Sequence, residues 1–142
     1  MNHQIQKHEQ YALVSVQETK IESQISLDLE ETARELFREG FKNLIFDFTN
    51  ILAADAAGVS VLKKVNFLCT KDLGIMVLVS ENDDFVNQLI EGKMRDVTIL
   101  PTVEEAIDAV FMNELENEFG AESDDFNDDE LDEEGFTNQE KP

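Results

Sequence analysis

One stretch, NLIFDFTNILAADAAGVSVLKK from Asn43 to Lys64, constrains the rest of the chain more than any other. Leu44 to Phe48 is an apolar run of strand length broken by Asp47 alone, the pattern of a strand buried on both faces of a sheet. Such a strand needs covering helices, and the chain supplies one at once. After the turn-prone pair Thr49-Asn50 and the short apolar run Ile51 to Ala54, Asp55 stands where its carboxylate can accept from the free N–H groups of a helical first turn. From Ala57 on, Val61, Leu62, Val65, Leu68 and Cys69 recur at helical spacing, with Lys63, Lys64 and Asn66 between them.

The flanking segments repeat that alternation. Tyr11 to Gln17 reads as a strand, and Lys20 to Glu22 as either an edge strand or an extended connection. Asp28 with Glu31 has the spacing of a capping box, followed by Leu29, Ala33, Leu36 and Phe37 on one helical face and by Gly40 in a left-handed cap position. Ile75 to Val79 is a second apolar strand; Ser80 or Asn82 can cap a short helix bearing Phe85, Val86, Leu89 and Ile90, ended by Gly92. Val97 to Leu100 is a short strand, and Thr102 with Glu105 makes a capping box for a last helix bearing Val103, Ala106, Ile107, Val110 and Phe111. The order predicts an α/β fold: a mixed, mostly parallel sheet of about five strands, with about four helices and right-handed crossovers.

The organising stretch resembles the signature of STAS domains, the fold of bacterial anti-sigma factor antagonists and of the cytosolic part of sulphate transporters. In that family an apolar strand ends in Asp-hydrophobic-Ser/Thr, and Asp-Ser-Ser/Thr-Gly then opens a helix. The chain carries Phe46-Asp47-Phe48-Thr49 and Asp55-Ala56-Ala57-Gly58, so Asp55 and Gly58 match while both hydroxyls are missing. The resemblance implies a STAS-like domain over residues 11–113 and a protein-docking surface at Asp55, Ala56, Ala57, Gly58, Val59 and Lys63. It also implies that Ala57 stands at the position of the phosphoacceptor, where it cannot take a phosphate. Ser60 and Thr49 are the nearby hydroxyls, at other positions. From spacing alone, the same four residues read as a helix cap followed by small residues that let the helix pack closely on the sheet.

Charge divides the chain. The formal net charge is −21 and the pI is near 4.1, which repels phosphate backbones and anionic lipid and favours basic protein partners. From Glu114 onward 13 acidic residues face the single Lys141, so −12 of the −21 falls in residues 114–142. That composition cannot bury enough surface to offset ordering, and disorder is expected there. Phe119, Phe126, Leu131 and Phe136 punctuate it, leaving open a solubilising tail or a docking segment. A calcium loop from Asp125 fails, because Glu130 replaces the required Gly and Phe136 the required Glu. Residues 1–10 are polar and are expected to be poorly ordered.

Enzymatic signatures are lacking: no phosphate loop, no dinucleotide fingerprint, no Gly-x-Ser-x-Gly and no Cys-x-x-Cys. His3 and His8 stand apart from any Cys, and the lone Cys69 lies on the apolar face of its helix as a packed thiol. Asp47 ends its strand as a receiver phosphoacceptor does, but Gln17-Glu18 supplies only half of the acidic pair such a site wants. No metal, no cofactor, no secretory signal and no membrane span are expected, and the default compartment is the cytoplasm. The reading is a non-enzymatic STAS-type regulator that binds a kinase-like anti-sigma factor or a serine phosphatase without the usual serine switch. The alternative is a structural STAS subunit of a transporter or a signalling complex.

Overall fold

The computed structural model describes residues 1–125; Met1–Val110 forms one compact unit, and the described residues from Phe111 on belong to a second. The first unit holds every strand described. In chain order these are β1 (His3–Lys7), β2 (Ala12–Val16), β3 (Lys20–Ile21), β4 (Leu44–Asp47), β5 (Ala53–Ala54), β6 (Met76–Val79) and β7 (Thr98–Leu100). The helices are α1 (Ser23–Arg38), α2 (Ala56–Lys71), α3 (Asp83–Glu91) and α4 (Val103–Asp125); the last begins in the first unit and continues in the second.

Five strands form a sheet in the order β1-β2-β4-β6-β7, antiparallel only where β1 meets β2, and β3 pairs in parallel with β5 in a separate two-stranded sheet. The expected mixed, mostly parallel α/β architecture is therefore present. Central β4 alternates its side chains between two cores. Leu44 and Phe46 join Leu29 and Leu36 of α1, Leu62 and Val65 of α2, and Phe85 and Leu89 of α3. Ile45 packs on the other face with Val77, Val79 and, from α4, Ala106 and Val110. Fully burying side chains of this size contributes roughly 1.5–3 kcal/mol each, which explains why an almost wholly apolar run occupies the centre.

Asn43, 1% exposed, extends the sheet by one rung at the start of β4. Its side-chain amide donates to the Gln10 carbonyl at 2.8 Å and its side-chain oxygen accepts from the Ile75 N–H at 3.0 Å. A single side chain thus joins the entries of β2, β4 and β6.

Four expectations are corrected. Residues 1–10 include a strand: β1 pairs with β2 from His3 opposite Val16 to Lys7 opposite Ala12. Backbone bonds hold this polar edge, which needs little apolar content. Helix α1 starts at Ser23, more than a turn before Asp28, because Ile25 already packs on the core and extends the apolar stripe; Asp28 instead accepts from Gln24 and from the Met1 amino group. Leu68 is only half-buried, since Val61, Leu62, Val65 and Cys69 complete the inward stripe of α2. Finally, α4 runs on to Asp125 through residues expected to be disordered from Glu114; Glu, Leu and Ala are good helix formers and continue it. The rest of the expected tail, 126–142, lies outside the described residues.

Other local signals match. Gly40 takes the left-handed conformation at φ +102, Asn82 caps α3 by accepting from the Phe85 N–H at 2.8 Å, and Thr102 accepts from the Glu105 N–H at 3.2 Å.

Candidate functional site

The region singled out in the sequence is built at the carboxyl end of β4. Phe48 continues the strand, its N–H donating to the Val79 carbonyl at 3.0 Å, and the chain turns so that the Ile51 N–H reaches the Phe48 carbonyl at 2.9 Å. Within that turn the Asp47 carboxylate accepts from both the N–H and the hydroxyl of Thr49. Asp47 is therefore a turn-fixing residue, and the Thr49 hydroxyl is already engaged.

The following segment is fastened to β3. The N–H groups of Leu52 and Asp55 donate to the carbonyls of Thr19 and Ile21 at 2.7 and 3.1 Å, with the short β3–β5 pairing between them. Asp55 then caps α2 as expected, its Oδ1 accepting from the Gly58 N–H at 2.8 Å. Gly58 faces inward against β3, so its missing side chain serves close packing. Of the predicted docking residues, Asp55, Ala56, Ala57 and Lys63 are exposed, whereas Gly58 and Val59 are buried. Ala57 sits in the open first turn of α2, among N–H groups that favour negative charge. Ser60 is exposed in the next turn.

A second wall stands beside this turn. Asp55, Val59, Ser60 and Lys63 line one side of an open groove of about 470 Å³, and Gln88, Glu91 and Gly92 of α3 line the other. Helix α3 is brought there by an aromatic chain: Phe46 stacks on Phe48, and Phe48 meets Phe85 edge-on, with ring centroids 5.5 and 5.9 Å apart. Sequence reasoning missed Gln88, whose Oε1 accepts from the Ala54 N–H at 2.7 Å. Nothing local signals a bond between residues 34 positions apart.

The remaining candidates lie apart from the groove. Burial pushes the Cys69 thiol up to about 12, so it stays protonated and does not act as a nucleophile at neutral pH. His8 stacks on Tyr11 with centroids 4.6 Å apart, and the His3 ring meets the Met1 carbonyl. No group of three or more potential metal ligands occurs among the described residues, and no helix among them is long and apolar enough to cross a membrane.

No family model matches the sequence, and no curated protein matches it. Solved structures do. An anti-sigma factor antagonist from Mycobacterium paratuberculosis superposes with a TM-score of 0.66 at 18% identity, over 77% of this chain and 92% of that one. The anti-sigma factor antagonist SpoIIAA in its unphosphorylated form gives 0.61 at 14% identity, over 77% and 97%, and the phosphorylated form from Bacillus gives the same TM-score. The murine anion transporter Slc26a9 in its inward-facing state gives 0.61 at 17% identity, over 75% of this chain and 18% of that one. The chain has the STAS fold.

Proposed function

We propose that this chain, built on the fold of the anti-sigma factor antagonists, is a non-enzymatic regulator that docks a protein partner through the start of α2. Asp55, Ala56, Ala57 and Lys63 form the contact surface. Gly58 and Val59 hold it in place. The partner class is a kinase-like anti-sigma factor or a serine phosphatase. The observation that supports the reading is the exposed first turn of α2, capped by the Asp55 carboxylate and tied to β3 through the Asp55 N–H; the family resemblance puts Ala57 at the phosphoacceptor position. A turn this firmly held is pre-organised, which lowers the ordering cost of binding. The net charge favours a basic face on the partner.

The test uses a purified kinase-fold anti-sigma factor as the probe. Wild type should bind it, remain unmodified at Ala57 in the presence of ATP and magnesium, and keep its complex. Ala57→Glu should weaken binding by roughly 2–5 kcal/mol, the range for a buried charge left poorly paired. Equal affinity of a well-folded Ala57→Glu protein would place the interface elsewhere.

A second reading, a structural STAS module within a larger assembly, draws support from the match to one segment of the Slc26a9 transporter. It predicts that Ala57→Glu leaves assembly intact.

A further inference from the structure

We infer that Gln88 is a positioning residue for the docking turn: through its hydrogen bond to Ala54, helix α3 sets the conformation of the segment that delivers Asp55. The inference takes its functional meaning from the docking surface proposed above, and makes that surface a device of two helices.

Three neighbouring backbone donors carry the argument. Leu52 and Asp55 donate inward, to Thr19 and Ile21. The Ala54 N–H between them donates to Gln88 Oε1 at 2.7 Å. The β5 segment is only two residues long, so its ladder with β3 is too short to hold the turn by itself. Without Gln88 the half-buried Ala54 N–H would have no protein acceptor, and an unmet donor of this kind is costly enough to reorient a short segment.

A second observation, independent of the first, brings the same helix close to α2. A Cβ on Gly92, at the end of α3, would lie 2.7 Å from Cγ1 of Val59. The end of α3 therefore approaches the first turn of α2 so closely that a side chain at Gly92 would require Val59 to shift. One tie is polar and falls on β5; the close approach at Gly92 falls on α2. Together they leave α3 little freedom to move without moving the turn between them. Gln88 itself is half-buried on a helix anchored by Phe85 and Leu89, so changing its head group leaves the packing of α3 in place.

The test is residue-resolved amide hydrogen exchange on the full chain, with no partner present. Gln88→Met keeps side-chain length and helix propensity but removes the oxygen; Gln88→Glu keeps an acceptor. Exchange at Ala54 should rise about five- to tenfold in Gln88→Met, the factor expected for one net hydrogen bond. Exchange at Phe46 and Leu78 in the core should stay as in wild type, and Gln88→Glu should restore protection at Ala54. Unchanged exchange at Ala54 overturns the inference, and so does an equal rise in the core, which would mean general destabilisation. Loss of protection in Gln88→Glu as well would show that the acceptor is not what matters. Because no partner enters the measurement, failure of the docking surface in the Ala57→Glu experiment leaves this result standing, and the converse holds.

Discussion

The carbonyl oxygen of Ile21 lies 2.4 Å from where a Cβ on Gly58 would stand. Helix propensity alone predicts that Gly58→Ala stabilises α2 by about 0.5–1 kcal/mol. The contact reverses the sign, because the opposing atom is backbone and cannot rotate away. A net loss of about 1–3 kcal/mol is expected from such overpacking, read as a lower midpoint in denaturant unfolding. A raised midpoint would mean that α2 slides off β3 at little cost.

Two leucines on α2 separate buried from half-buried positions. Leu62 is fully buried between α2 and the sheet, and Leu62→Ala should cost about 2–5 kcal/mol. Leu68 lies beside the stripe, next to Phe37, Arg38 and Lys71 at the α1–α2 groove, and Leu68→Ala should cost under about 1.5 kcal/mol. Chemical denaturation of both variants checks the ranking, and equal losses would put Leu68 back in the core.

Ala57→Glu should not harm folding. The position is exposed in the first turn of α2, where a carboxylate is favourable by about 0.3–1 kcal/mol at low salt. Thermal melts at low and high salt should show a small stabilisation that fades with added salt.

Acid should weaken one surface link. Hydrogen bonds from Arg34 and then from Lys64 hold the Glu30 carboxyl below its usual range, with its Oε2 at 2.9 Å from Arg34 and 3.2 Å from Lys64. A carboxyl depressed by folding contributes stability above its unfolded pKa and loses it as pH falls through the folded one. Glu30→Gln should therefore lower stability slightly at neutral pH, by under about 1 kcal/mol for so exposed a cluster. It should converge with wild type on the acid side of the ordinary Glu range. A difference that persists undiminished in acid would point to packing instead.

Short-range chemistry was legible in the sequence. Asp55 with Gly58, Asn82 with Phe85, and Thr102 with Glu105 are bonds between residues three apart, and each stands where its residue types place it. The apolar runs at β4 and β6 were equally plain, because strands buried on both faces admit almost nothing else. What escaped was non-local or carried by backbone. Strand β1 is polar and held by main-chain bonds, so it has no apolar alternation to read. Helix α1 opens at Glu22, which makes no side-chain cap, while Asp28 and Glu31 imitate a cap more than a turn inside. Leu68 shows that the apolar face of a helix can be wider than the stripe the sheet covers. Gln88 is polar, partly exposed and far in sequence from the turn it holds.

The Asn43 bracket has a consequence for the order of assembly. Its side chain spans 33 residues back to Gln10 and 32 forward to Ile75, so the pair of bonds is complete only once three separately made strands have met. Interactions that complete late are absent from the transition state, and their loss is felt in how fast the native state opens rather than in how fast it forms. Asn43→Ala should thus speed unfolding in stopped-flow denaturant jumps while leaving refolding nearly unchanged. That outcome would make Asn43 a latch on a finished sheet, one that lengthens the life of the folded chain.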